Sequence, residues 1–287
     1  MGRTEDWLGL GPKRLVYLEF APGAGGDMFS MLAGSTSKGT FGFGKSSVNK
    51  RQQRLVASGL NLPDKRMISG IQFAAEHFTR IPVMQNYIQT MLISAVGLSM
   101  YANKDHLQTK QQFWDALANS HTIWAAGHPG GNMLEHHDRS WVSAWRQGVE
   151  SIGWSYLPVH VVCNSYDSFL WTCCIAHSAK LADQTHETVE PFIAKQADWI
   201  DTARRTVEAD TLQIDFIQMV LDNKPDELLA WIKQNINQDI NESVYYEIFE
   251  NYRDMRYQHF LDWKEKFADR LDFWKETYYN KISNPKG

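Results

Sequence analysis

Two glycine-bearing stretches near the start of the chain have the residue types and spacing that hold phosphate. The first lies within Leu15 to Leu32, LVYLEFAPGAGGDMFSML. An apolar run meets Pro22-Gly23-Ala24-Gly25-Gly26, and Asp27 and Met28 open a helix-compatible segment. Glycines let a backbone turn sharply with its amides exposed, and a helix start offers unpaired N–H groups and a partial positive charge. The pattern of strand, glycine loop and helix is therefore that of a phosphate-binding loop. An ordinary β-to-α turn favours glycine as well, so the stretch alone leaves both readings open. The second stretch, Gly39 to Ser46, reads GTFGFGKS and matches G-x-x-x-x-G-K-[ST] literally. That pattern has meaning where a strand ends at its first glycine. Here Leu32 to Lys38, LAGSTSK, carries no strand signal, and the segment reads as an exposed basic loop whose Lys45 or Lys50 could close over an anionic ligand.

The elements that would position these groups follow a strand-loop-helix rhythm. His121 to Gly127, HTIWAAG, predicts a buried strand ended by His128-Pro129-Gly130-Gly131. Leu157 to Cys163, LPVHVVC, predicts a second, of the parallel type, followed by a turn at Asn164-Ser165-Tyr166-Asp167 and a helix over Ser168 to Ala182. Ile81 to Tyr101 predicts a buried helix, or a helix and a strand, and Gln111 to Ala118 and Trp141 to Ile152 predict further helices. Three strand-loop-helix units imply an α/β domain with a parallel sheet flanked by helices, and ligand groups gathered at the carboxyl ends of the strands.

From Val189 onward the composition turns helical and acidic. Thr211 to Phe216 is a short strand candidate. Lys224-Pro225-Asp226-Glu227 opens a helix, with proline and acids where a helix start favours them. Ser243 to Tyr279 carries Tyr252, Phe260, Trp263, Phe267, Leu271 and Trp274 at mixed three and four spacings, the pattern of one long amphipathic helix or a pair. The division expected is an α/β domain over 1–240 and a helical C-terminal extension over 241–287, docked on that domain or on a protein partner or second copy.

Composition narrows the class. A hydrophobic content of 43% is enough for a substantial core, and a net charge of -4 gives no broad attraction to nucleic acid or to acidic membranes. The start, MGRTEDWLGLGPKR, is too polar for a secretory signal, and no apolar run approaches the roughly 20 residues of a membrane span. A cytoplasmic protein is expected. Its three cysteines, Cys163, Cys173 and Cys174, fit a reducing compartment, and no metal site is expected.

Taken in order, three segments resemble the P-loop sulfotransferase family. LVYLEFAPGAGGDMFSML sits where that family has its first strand, donor loop and first helix. VHVVCNSYDSFLWTCCIAHSAK is similar to its strand, Arg-Asp-Pro-like turn, Asp and helix. TLQIDFIQMVLDNKPDELLAWIKQNI is similar to its late strand with an acidic-aromatic pair and a Pro-started helix. The resemblance implies transfer of a sulfuryl group from 3′-phosphoadenosine 5′-phosphosulfate to a hydroxyl or amine acceptor. It implies that backbone amides of Gly23, Ala24, Gly25, Gly26, Asp27 and Met28 hold the donor's 5′ end. By position, the Asp167 turn would lie near its 3′-phosphate, with Ser168 and Thr172 close by. From the residues themselves, Lys45 of the basic loop is the candidate cation, and His128, which ends a strand beside two glycines, is the candidate base for the acceptor proton.

The chain departs from the family pattern at several of these points. Its loop has no Lys or Arg and places Asp27 at the helix start, where a carboxylate competes with an anion. Cys163 stands where the phosphate-gripping Arg is expected, and Trp171 where a Ser is. The late Gly-rich basic segment is missing, and Asp262-Trp263-Lys264 is its faint counterpart. Two functions follow. One is a divergent sulfotransferase in which Lys38, Lys45, Arg51 or Arg139 replaces the missing cations. The other is a non-catalytic scaffold serving as a structural or assembly protein, such as a virion component.

Overall fold

The computed structural model describes residues 14–33, 40–44, 122–127, 146, 150, 154–177 and 179–283; the side chains of residues 27, 30, 31, 40–44, 122–127 and 206 fall outside that description. Five strands form one parallel sheet in the order β2-β3-β1-β4-β5. They are β1 (Arg14–Phe20), β2 (Thr40–Gly44), β3 (Thr122–Gly127), β4 (Ser155–Val161) and β5 (Leu212–Ile214). β1 is central because six of its seven residues are buried, as a strand with helices on both faces requires. Strands 2 and 3 lie to one side of it and strands 4 and 5 to the other. The order therefore reverses between β1 and β4, and the loops that follow those two strands meet at a topological switch point.

Strand alternation sorts the side chains. Val16, Leu18, Phe20, Val159, Val161 and Ile214 belong to the apolar core. The opposite face carries a polar row, because Glu19 is in register with His160 and His160 with Gln213. Glu19 and His160 are both buried, at 6% and 3% exposure.

The helices are α1 (Gly26–Ala33), α2 (Tyr166–Ala176), α3 (His186–Thr206), α4 (Phe216–Leu221), α5 (Pro225–Asn235) and α6 (Glu242–Lys266). A 3₁₀ turn at Ala268–Arg270 leads to the short segments Leu271–Trp274, Lys275–Tyr279 and Asn280–Ser283. Their ends follow local chemistry. Ser165 caps α2 by accepting from Ser168 N, Asp215 caps α4 by accepting from Gln218 N, and Asn241 caps α6 by accepting from Val244 N. Between α4 and α5, Asn223 takes φ +54°, and Lys224 N donates to Met219 O. This is a left-handed helix stop, in a conformation that Asn tolerates better than most residues. Pro225 opens α5 ahead of Asp226 and Glu227.

The GTFGFGKS stretch differs from its expectation as a loop. Thr40–Gly44 is the edge strand β2, with Thr40, Phe41 and Gly42 paired to Thr122, Ile123 and Trp124. Pairing with β3 outweighs the weak strand preference of glycine, which an edge position tolerates. Gly42 and Gly44 of the literal motif thus lie inside a strand, whereas a phosphate loop needs its glycines after one; Gly39, Lys45 and Ser46 lie outside the described residues. The segments 81–101 and 111–118 lie outside them too, and 141–152 does apart from Arg146 and Glu150, both helical.

The C-terminal segment shares the domain's core. Trp263 and Trp274 are fully buried and stacked, with ring centroids 5.6 Å apart and Phe267 between 5.2 and 5.5 Å from each. Trp171 of α2 packs on Tyr252 and Phe260 of α6 at 6.1 and 5.3 Å. One apolar cluster runs from Leu15 to Ile282 across the boundary expected at 240. No helix among the described residues is long and apolar enough to cross a membrane.

Candidate functional site

The switch point brings together the loop after β1, Ala21 to Gly25, and the loop after β4, Val162 to Ser165. Gly23 and Gly25 adopt φ +85° and +75°, the left-handed region that favours glycine. What surrounds them is protein. A Cβ on Gly23 would lie 2.3 Å from Thr172 O, and one on Gly25 would lie 2.6 Å from the Phe216 ring. Within the turn, Ala24 N donates to Ala21 O at 3.0 Å, and Phe29 N donates to Gly25 O at 2.9 Å as α1 begins. Ala24 is fully buried, Gly26 and Met28 are buried, and the Asp27 side chain lies outside the described residues. The sharp turn expected from the sequence is present. Its glycines give α2 and α4 room to approach.

The loop after β4 is fastened to the loop after β5 by one carboxylate. Asp215 accepts from Asn164 N at 2.6 Å and Ser168 Oγ at 3.1 Å, besides capping α4 through Gln218 N at 3.0 Å. Ser165 Oγ extends the net to Ser168 Oγ at 3.1 Å and to Gln218 Oε1. Burial raises the Asp215 carboxyl above the ordinary aspartate range and outweighs the hydrogen bonds that would lower it.

The other residues carried from the family pattern are placed as follows. Ser168 and Thr172 are brought together on α2 and are fully buried. Thr172 Oγ1 donates to Ser168 O at 2.8 Å, so the Cys163 thiol, 3.2 Å away, is the donor to Thr172 Oγ1. Burial pushes that thiol up to about 12, and it is neutral where the family has a cation. Asp167 lies on the surface in an ion pair with Lys264 at 2.7 Å. His128, Lys45 and the other candidate cations, Lys38, Lys50, Arg51 and Arg139, lie outside the described residues. No three His, Cys, Asp or Glu side chains among the described residues gather so as to hold a metal ion.

Three of these residues offer no free donor to a sulfuryl donor held in the family's manner. A 3′-phosphate needs exposed, unspent donors, and Ser168 and Thr172 are enclosed and already bonded. A 5′ end needs a row of open amides, and the Ala24 amide is used inside its own turn.

One cationic side chain that sequence reasoning missed does reach the end of β4. Arg204, on α3, donates from Nη2 to Cys163 O at 2.5 Å and from Nη1 to Ile282 O at 2.6 Å. It lines a cavity of about 410 Å³ together with His160, Val162, Asn164, Val207, Gln213, Ile282 and Ser283. Nothing local in the sequence marks it, because Arg204 stands in TARRTVEAD, which reads as the solvated end of a helix.

The fold and these loops define the chain as an α/β domain with a parallel sheet and its polar groups at the switch point. Compared with protein-family models, with curated proteins and with solved structures, the chain matches none.

Proposed function

We propose that this chain is a sulfotransferase-like α/β scaffold without transferase activity, used as a binding or assembly protein. The observation that carries the reading is the burial of Ser168 and Thr172, at 0% exposure and bonded within the chain, beside a neutral Cys163. The positions that would grip a nucleotide's 3′-phosphate have become core. Calorimetric titration of the full chain with adenosine 3′,5′-bisphosphate tests it. No saturable binding at millimolar nucleotide is expected. Binding that disappears in Gly25→Asp would overturn the reading.

A second reading, a divergent sulfotransferase acting on a hydroxyl or amine, is favoured by the two left-handed glycines after the central strand. In that reading Lys45 supplies the cation and His128 the base. Transfer of radiolabelled sulfate from 3′-phosphoadenosine 5′-phosphosulfate to a panel of alcohols and amines, lost in His128→Ala, would establish it.

A further inference from the structure

The cavity under Arg204 has the chemistry of a ligand site that the glycine loop does not account for. We propose that it binds a small organic oxyanion, a phosphate monoester or a carboxylate, with its charged head on Arg204. A guanidinium is always charged and carries five N–H donors. Two of Arg204's are spent on the carbonyls of Cys163 and Ile282, and no carboxylate among the described residues pairs with it. The side chain is half-buried, so its charge is poorly compensated by water, and a partly buried cation without a counter-ion is costly.

The walls agree on the sign. Among the described residues, no carboxylate lines the cavity. Ser283 lines it as well, and its Oγ is buried and has no hydrogen-bond partner among the described residues. Asn164 and Gln213 add exposed amides at the rim, and Val162, Val207 and Ile282 give an apolar side for the rest of the ligand. A volume of about 410 Å³ lies in the range of small-molecule pockets and exceeds what a single ion fills. The two carbonyl bonds also fix the fork. Arg204 is held through both Nη atoms by backbone carbonyls from segments far apart in sequence, so the head group meets a preorganised cation.

Calorimetric titration of the full chain at constant ionic strength tests the site, using phenyl phosphate, benzoate and inorganic phosphate in separate arms. Saturable one-to-one binding of at least one probe is expected. Phenyl phosphate binding more tightly than benzoate assigns the site to phosphate monoesters, and the reverse assigns it to carboxylates. Inorganic phosphate binding as tightly as phenyl phosphate supports recognition of the head alone.

Arg204→Gln should weaken binding at least about tenfold, but it also removes two bonds that hold the chain together. Gln213→Glu is the cleaner variant. Gln213 is exposed and lines the same cavity as Arg204, so the variant adds a carboxylate to the walls that face the anion, and the same loss is expected in a protein whose melting temperature and circular dichroism are unchanged. No saturable heat with any probe would overturn the proposal, as would undiminished binding in a folded Gln213→Glu protein. Nucleotide binding through the glycine loop would be indifferent to Gln213→Glu, so the two sites are tested separately.

Discussion

Asp215 holds two loops and a helix start with one carboxylate, and its burial decides how it responds to acid. Because its folded pKa is raised, the stability it contributes is fully present below the ordinary value of 3.8 and is lost as pH rises through the higher folded value. Asp215→Ala strands the Asn164 and Gln218 amides, at a cost of about 1–3 kcal/mol. Urea unfolding at pH 4 and pH 7 should show this deficit, and it should be larger at pH 4. Asp167 is the contrast. Its partner Lys264 is 2.7 Å away, but the Asp167 side chain is 51% exposed and solvent screens the pair. Asp167→Ala should therefore change stability by less than about 1 kcal/mol, which the same titration measures. The acidic residue that the turn sequence singles out is thus the less consequential of the two.

The strand-turn-helix unit Arg14 to Ala33 was legible in the sequence because its signals are local: an apolar run, two glycines at positions that need them, and a short helix. What those glycines are for was not legible. Left-handed backbone beside a ligand and left-handed backbone under a packed helix ask for the same residue, and the difference lies in Thr172 and Phe216, which are far away in sequence. The two glycines should separate by mutation. Gly23→Ala meets a backbone oxygen of α2 at 2.3 Å and Gly25→Ala meets the edge of the Phe216 ring at 2.6 Å, so both lose stability and Gly23→Ala, whose neighbour is backbone, loses more. Left-handed strain plus overpacking gives about 2–4 kcal/mol for Gly23→Ala, read as a shift in urea midpoint at unchanged slope. The same reasoning explains Ser168 and Thr172. Their place just after the β4 turn was readable, but which face of α2 they occupy depends on Asp215 and Cys163. Arg204 was hidden for a similar reason, since 41 residues separate it from the Cys163 carbonyl it binds.

At the scale of the whole molecule, the C-terminal helices settle where the aromatic residues go. The spacing over Ser243 to Tyr279 favours a face docked on its own domain over one left for a partner. In the structure Tyr245, Phe249, Tyr252, Phe260, Trp263, Phe267 and Trp274 are all buried, and α6 packs on α1, α2, α4 and α5. Trp263 is also tied by a hydrogen bond from Nε1 to Gln184 Oε1 at 2.9 Å, so it anchors the segment between α2 and α3. Trp263→Ala should cost about 3–5 kcal/mol, the range for emptying a buried aromatic site. That is a large share of the 5–15 kcal/mol by which domains of this kind are stable. Deleting the chain from Ser243 onward goes further, because it would uncover Trp171 and Phe216, whose rings rest on Tyr252 at 6.1 and 5.9 Å. The truncated protein should be recovered insoluble or bind a hydrophobic dye strongly. If it instead stays soluble with a cooperative unfolding transition, α6 is a separable extension, and its aromatic face becomes the first place to look for the partner an assembly protein needs.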